Sequence, residues 1–230
     1  MNNSFTKLRW LDIELTERCN HNCIHCCINL PQNDWNAQKK ELKTDELIDI
    51  IEQAHAMGVL TIRFTGGEPL LREDFEKLYI FTRKLGMKIV LFTNATLFTP
   101  SIIRLLEKIP PLEKVEITSY GSTKKSYETA TLNKGSFEQY SKGLNLLFES
   151  RIPFIVKRPI LPCNAKEFEK YEKWIETIHW MNGTPSYSMF FDLRTRRDSE
   201  KKNNLIKELR LSPESGLEIM ARTQPSYKNG

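Results

Sequence analysis

Residues 17–27 read Glu-Arg-Cys-Asn-His-Asn-Cys-Ile-His-Cys-Cys. Four of the chain's five cysteines lie in this loop, and Cys19, Cys23 and Cys26 have the spacing C-x3-C-x2-C. Thiolates packed this closely repel unless something positive sits among them, so the physical candidates are zinc, an iron–sulfur cluster or disulfides. Three ligands from one short loop cap one face of a metal centre and leave a corner open. A structural zinc normally takes a fourth ligand from a second Cys or His pair. The remaining thiol, Cys163, is distant and has no paired partner near it. An iron–sulfur cluster held by three cysteines, with one iron free to bind something else, fits better. Cys27 adjoins Cys26 and cannot easily reach the same cluster, so it reads as a small buried residue. His21 reads as a solvated loop residue, and His25 directly precedes the third ligand.

Working outward, the 230 residues suffice for one large domain or two small ones. Hydrophobic residues at 40% and charged residues at 27% are ordinary for a soluble globular protein. No apolar run approaches the ~18–20 residues that span a bilayer. The opening Met1-Asn2-Asn3-Ser4-Phe5-Thr6-Lys7 lacks the apolar core of a signal peptide. The expected location is therefore the cytoplasm, with no membrane partner, where clustered thiols read as metal ligands rather than disulfides. The net charge of +5 is mild and, outside 194–207, scattered, which does not argue for nucleic acid.

The chain alternates short apolar runs with amphipathic helical patterns. Strands are expected at 9–16, 59–65, 87–93, 112–119, 152–160 and 186–193. Helices are expected from an N-cap at Thr44 to a stop at Gly58, then over 73–85 and 99–109. Further helices are expected from the Ser136 capping-box spacing to 150, over 164–182, and after Ser212-Pro213. Residues 28–43 read as irregular and 122–135 as a polar loop. Six successive β-then-α units imply a parallel sheet, and the expected fold is α/β, a partial (β/α)6 TIM-type barrel. The expected division is 1–193 for the barrel and 194–230 for a basic bridging tail, solvated and loosely ordered. Trp174 and Trp180 read as core or barrel-edge packing.

The unusual residues all follow strands: the cysteine loop, Gly66-Gly67-Glu68-Pro69, Thr93-Asn94 and Ser119-Tyr120-Gly121. In a parallel barrel such positions converge on the C-terminal mouth, where catalysis is sited. Gly-Gly-Glu-Pro alone is a common strand-to-helix turn, but its two glycines also let backbone approach a ligand closely. A cysteine loop after the first strand and a Gly-Gly-Glu turn after the second would face each other across that mouth.

Together, Cys19-x3-Cys23-x2-Cys26 and Gly66-Gly67-Glu68-Pro69 resemble the radical S-adenosylmethionine superfamily, over about residues 9–193. The resemblance implies a 4Fe-4S cluster on Cys19, Cys23 and Cys26, with S-adenosylmethionine chelating the fourth iron at the open corner. It implies reductive cleavage of that sulfonium to methionine and a 5′-deoxyadenosyl radical, which abstracts hydrogen from a substrate. By the same resemblance His25 lies where the family has an aromatic residue near the adenine. Gly66, Gly67 and Glu68 match the turn that binds the methionine amino group. Thr93 and Asn94 match a Thr-Asn pair approaching the cofactor, Ser119 a ribose or carboxylate contact, and Lys157 a basic partner of the carboxylate. No acid–base residue is assigned, because the cofactor carries the hard chemistry.

The resemblance is nearest to the group of maturases with a C-terminal SPASM or twitch extension bearing auxiliary clusters. No cysteine follows Cys163, so the sequence reads as the core with that extension absent. The implied partners are a small electron donor of flavodoxin or ferredoxin type and a peptide or protein substrate, with a cofactor precursor such as a tetrapyrrole second. The rival readings are a catalytically incomplete iron–sulfur or partner-binding barrel, and a zinc module.

Overall fold

All six expected strands form, and they form one sheet. The computed structural model describes residues 8–28, 30–181, 185–193 and 200–223. Strand β1 (Trp10–Thr16) leads into the short strands β2 (Arg18–Cys19) and β3 (Leu30–Pro31), which pair with each other. Then come α1 (Trp35–Lys40), α2 (Thr44–Ala56), β4 (Thr61–Gly66), α3 (Phe75–Lys84), β5 (Lys88–Thr93) and α4 (Pro100–Lys108). The second half holds β6 (Leu112–Thr118), α5 (Lys124–Thr131), α6 (Ser136–Ser150), β7 (Phe154–Pro159), α7 (Phe168–Glu176), β8 (Ser186–Ser188), α8 (Glu200–Glu208) and α9 (Pro213–Thr223). The sheet order is β1-β4-β5-β6-β7-β8, every neighbouring pair parallel, so each long strand lies beside the next one in the chain. That single progression is the arrangement of a partial parallel β/α barrel.

Strand alternation sorts the two faces. Ile62, Phe64, Leu91, Ile117 and Val156 are fully buried in the main core. Burying each such side chain contributes roughly 1.5–3 kcal/mol. The alternate positions Asp12, Glu14, Arg63, Thr65, Phe92 and Lys157 line a cavity on the other face. Trp174 and Trp180 pack on the margin of the core, as expected.

Local corrections follow from capping chemistry. Residues 28–43 contain α1, capped by the Asp34 side chain accepting from Ala37 N at 2.8 Å; six residues with one buried, Ala37, are too few to show a period. The supposed loop 122–135 contains α5, whose Thr123 and Ser126 cap each other reciprocally, with Ser in place of the usual Glu or Gln. Lys43, not Thr44, is the N-cap of α2, and the Thr44 hydroxyl instead donates to Asp74 at 2.7 Å. Gly135, not Ser136, is the N-cap of α6, at φ +87°.

The tail also departs from a solvated segment. Ile206 of α8 is fully buried against Ala130, Leu161 and Phe191. The Lys202 ammonium donates to the Cys23 carbonyl at 3.0 Å. The first part of that basic tail, residues 194–199, lies outside the described residues.

Candidate active site

The cysteine loop is held from three sides, by backbone and by side chains. Asn22 N and Ile24 N donate to Thr131 O and Ala130 O at the end of α5, at 2.9 and 3.0 Å. The Asn133 amide donates to Asn20 O at 2.8 Å and meets His21 Nδ1 at 3.2 Å. His21 is thus buried at the edges of the Tyr120 and Tyr127 rings, not solvated; burial lowers its pKa to about 4. On the near side Arg18 is buried, with its guanidinium on Glu41 at 2.7 Å and on Gln32 O at 2.9 Å.

The third side is the glycine turn. Gly67 N donates to Thr16 O at 2.7 Å and Glu68 N to Arg18 O at 2.9 Å. A Cβ at Gly66 would lie 2.2 Å from Thr16 O, and one at Gly67 would lie 2.1 Å from Arg18 O. Gly66 also sits at φ +123°. The close approach that requires these glycines is to the strand entering the cysteine loop. Both glycines also line the cavity beyond it.

Glu68 does not line that cavity. Its carboxylate is fully buried and accepts from Thr93 Oγ1 at 2.8 Å, Asn94 N at 2.9 Å and Leu70 N at 3.2 Å. Burial raises its pKa to about 7, and these hydrogen bonds hold it from rising further. Glu68 therefore clamps the turn after β4 to the turn after β5.

One cavity gathers most of the expected site residues: Cys19, Cys23, Cys26, His25, Gly66, Gly67, Thr93, Asn94 and Lys157. Burial pushes the Cys19 thiol up to about 12 and Cys23 well above its ordinary range, and the sulfurs' mutual repulsion adds to both shifts. Thiols this unwilling to ionise become thiolates only with a cation among them, as a ligand set requires. Among the described residues no three His, Cys, Asp or Glu side chains converge on a position for a single metal ion. All three thiols line the one cavity, Cys19 and Cys23 buried and Cys26 partly so. His21 N and Ile28 N point at the Cys19 and Cys26 sulfurs, each at 3.4 Å.

The remaining positions are distributed as follows. His25 packs its ring on Phe191 at 4.9 Å and Tyr120 at 5.7 Å, and its buried Nδ1 has no hydrogen-bond partner among the described residues. Lys157 Nζ lies 3.9 Å from Glu116 and 5.1 Å from the Phe92 ring centre. Cys27 is half-exposed and lines the same cavity, so it is not a buried filler. Ser119 lines a different cavity with Phe137, Tyr140 and Trp174, while its neighbours Thr118 and Tyr120 line the cysteine cavity. Strand parity is the signal that finds Thr118: it registers with Lys157, which shares its face. Asp192 and Phe191, after β8, also line the site, and no motif marks them in the sequence.

Known proteins match this arrangement. A family model described as the Radical SAM superfamily matches residues 13–162. An AdoMet-dependent heme synthase of Methanosarcina barkeri is 28% identical over 87% of this chain and 54% of its own length. One from Nitratidesulfovibrio vulgaris is 26% identical over 84% of this chain and 50% of its own. The chain thus spans about half the length of the curated relatives it matches. Among solved structures, native anSMEcpe with bound AdoMet superposes with TM-score 0.69 at 18% identity, covering 94% of this chain and 59% of that one. Streptococcus suis SuiB bound to S-adenosylmethionine gives 0.66 at 16%, covering 95% and 49%; at such identities these two attest the fold alone. With the cysteine loop, the glycine turn and the partial barrel all inside or overlapping the matched span, the chain belongs to the radical SAM superfamily.

Proposed function

We propose that this chain is the S-adenosylmethionine-cleaving core of a radical enzyme. The observation that carries this reading is the shared cavity: three cysteines beyond the end of β1, Gly66 and Gly67 at the end of β4, Thr93 and Asn94 at the end of β5, and Thr118 with Tyr120 at the end of β6. Cys19, Cys23 and Cys26 would hold a 4Fe-4S cluster, which would supply the electron for reductive cleavage of S-adenosylmethionine and so the hydrogen-abstraction chemistry. The chain's own residues bind and orient. The turn at Gly66 and Gly67 presents backbone to the methionine end, and Lys157 offers its ammonium to the carboxylate in exchange for its long contact with Glu116. His25, with a buried ring nitrogen lacking a partner among the described residues, offers that atom and its ring to the adenine side. Phe92, Tyr120 and Phe191 exclude water from the cavity. The electron comes from an external donor of flavodoxin or ferredoxin type, in the cytoplasm.

For the substrate, the likeness to AdoMet-dependent heme synthases over most of the chain favours a tetrapyrrole over a peptide. The test is anaerobic reconstitution with iron and sulfide, reduction by dithionite and addition of S-adenosylmethionine. The expected result is 5′-deoxyadenosine, formed faster when a carboxylated tetrapyrrole is added. A full cluster that yields no 5′-deoxyadenosine overturns the reading. Stimulation by peptides but not by tetrapyrroles overturns the substrate class alone.

A further inference from the structure

The side chain of Asn94 is already fully bonded. An Asn amide offers two N–H donors and an oxygen with two lone pairs. Asn94 Nδ2 donates to Asn20 Oδ1 at 2.9 Å and to the Cys19 sulfur at 3.9 Å, the long reach of a sulfur acceptor. Its Oδ1 accepts from Thr96 N at 3.0 Å and from Thr96 Oγ1 at 2.5 Å. Asn20 closes the ring by donating to Thr96 Oγ1 at 2.7 Å. The backbone is held as well, with Asn94 N on the Glu68 carboxylate. Asn94 is buried, so water does not compete for these groups. Its amide therefore has no capacity left over for a ligand in the cavity. What it does have is a fixed N–H aimed at one of the three cluster cysteines.

We propose that Asn94 is a positioning residue for the cluster, acting through Cys19: its side-chain N–H donates to the ligating sulfur and raises the cluster's reduction potential. This rests on the proposed function above. Hydrogen bonds to cluster sulfurs are among the levers that set such potentials. The reduced cluster carries one more electron than the oxidised one, so its sulfurs are better acceptors and the bond favours reduction. One electron enters from the external donor, and no bond at Asn94 is made or broken. The clamp from Glu68 through Asn94 to Cys19 thereby joins the glycine turn to the redox centre.

The test is an EPR-monitored redox titration of the reconstituted full chain, with iron counted for each protein. Asn94→Ala, which removes the donor, and Asn94→Asp, which keeps the acceptor toward Thr96, are both expected to titrate at more negative potential than wild type. Thr96→Val keeps the backbone bond that orients Asn94, and its potential is expected to stay at the wild-type value. An unmoved potential in both Asn94 variants with a full cluster overturns the proposal. So does a shift in Thr96→Val as large as in Asn94→Ala, because loosening of the ring would then suffice. Failure of wild type itself to take up a four-iron cluster overturns the proposed function, and this inference with it.

Discussion

The Glu68 carboxylate and the Thr93 hydroxyl meet at 2.8 Å in the floor beneath the cavity, joining the turn after β4 to the turn after β5. Glu68 is fully buried, and its pKa is raised by burial from 4.5 to about 7. Between those values the native protein holds a proton that the unfolded chain has released. Stability contributed by this group is complete below about pH 4.5 and is lost as pH rises toward 7, by about 3 kcal/mol across the window. Urea unfolding at several pH values is expected to show that decline in wild type and a flatter profile in Glu68→Gln. Equal slopes in the two proteins would sink the assignment.

Gly67 and Gly58 make a contrasting pair. An added Cβ at Gly67 would strike the Arg18 carbonyl at 2.1 Å, and backbone cannot swing aside. Gly67→Ala is expected to cost about 2 kcal/mol or more and to reduce iron uptake, since Arg18 precedes the first cysteine. Gly58 sits at φ +86°, and an added Cβ would meet no described residue within 4 Å, so Gly58→Ala carries only the conformational cost, about 1 kcal/mol, with iron uptake unchanged. Iron uptake that fell equally in both variants would argue against the glycine turn as the support of the loop.

The cysteines divide three to one. Replacing Cys19, Cys23 or Cys26 by Ala is expected to abolish the cluster's visible absorbance after reconstitution. Cys27→Ala is expected to retain it, although the Cys27 thiol lines the cavity. Loss of the cluster in Cys27→Ala would overturn the ligand assignment.

Arg158 is wholly buried and bonds to Glu167 at 3.1 Å and Ser122 Oγ at 3.0 Å, with its guanidinium 4.2 Å over the Tyr171 ring. Glu167 also accepts from Ser122 N, Thr123 Oγ1 and Ser126 Oγ. Glu167→Ala strands a buried cation and several donors, so a loss of about 3 kcal/mol is expected in urea unfolding. A loss below about 1 kcal/mol would mean that the pair behaves as a surface bridge.

Much of the architecture was legible because apolar runs and helix stripes repeat with their own periods. Val59 to Thr65 and Met87 to Thr93 carry those signals in a few residues, and β4 and β5 sit there. The short helices α1 and α5 were not legible, because α1 is only six residues long and the Thr123–Ser126 cap uses an atypical partner. At the site, spacing marked the cysteines, whereas the parity that puts Thr118 on the face of Lys157 shows only in the strand register.

The loop Glu17 to Cys27 was decided by local chemistry alone: the number of thiols, their spacing and the open corner they leave are properties of eleven neighbouring residues. Which residues stand around that corner was decided only in three dimensions. Glu68 reads in sequence as part of a ligand-binding turn, and Asn94 as a cofactor contact. Folding brings Glu68 inward, where a buried carboxylate takes every donor within reach, and saturates the Asn94 amide against Asn20, Thr96 and Cys19. Hydrogen-bond capacity is finite, and apart from the local bonds to Thr96, how it is shared depends on contacts between residues 25 to 75 positions apart. No window of sequence contains those contacts.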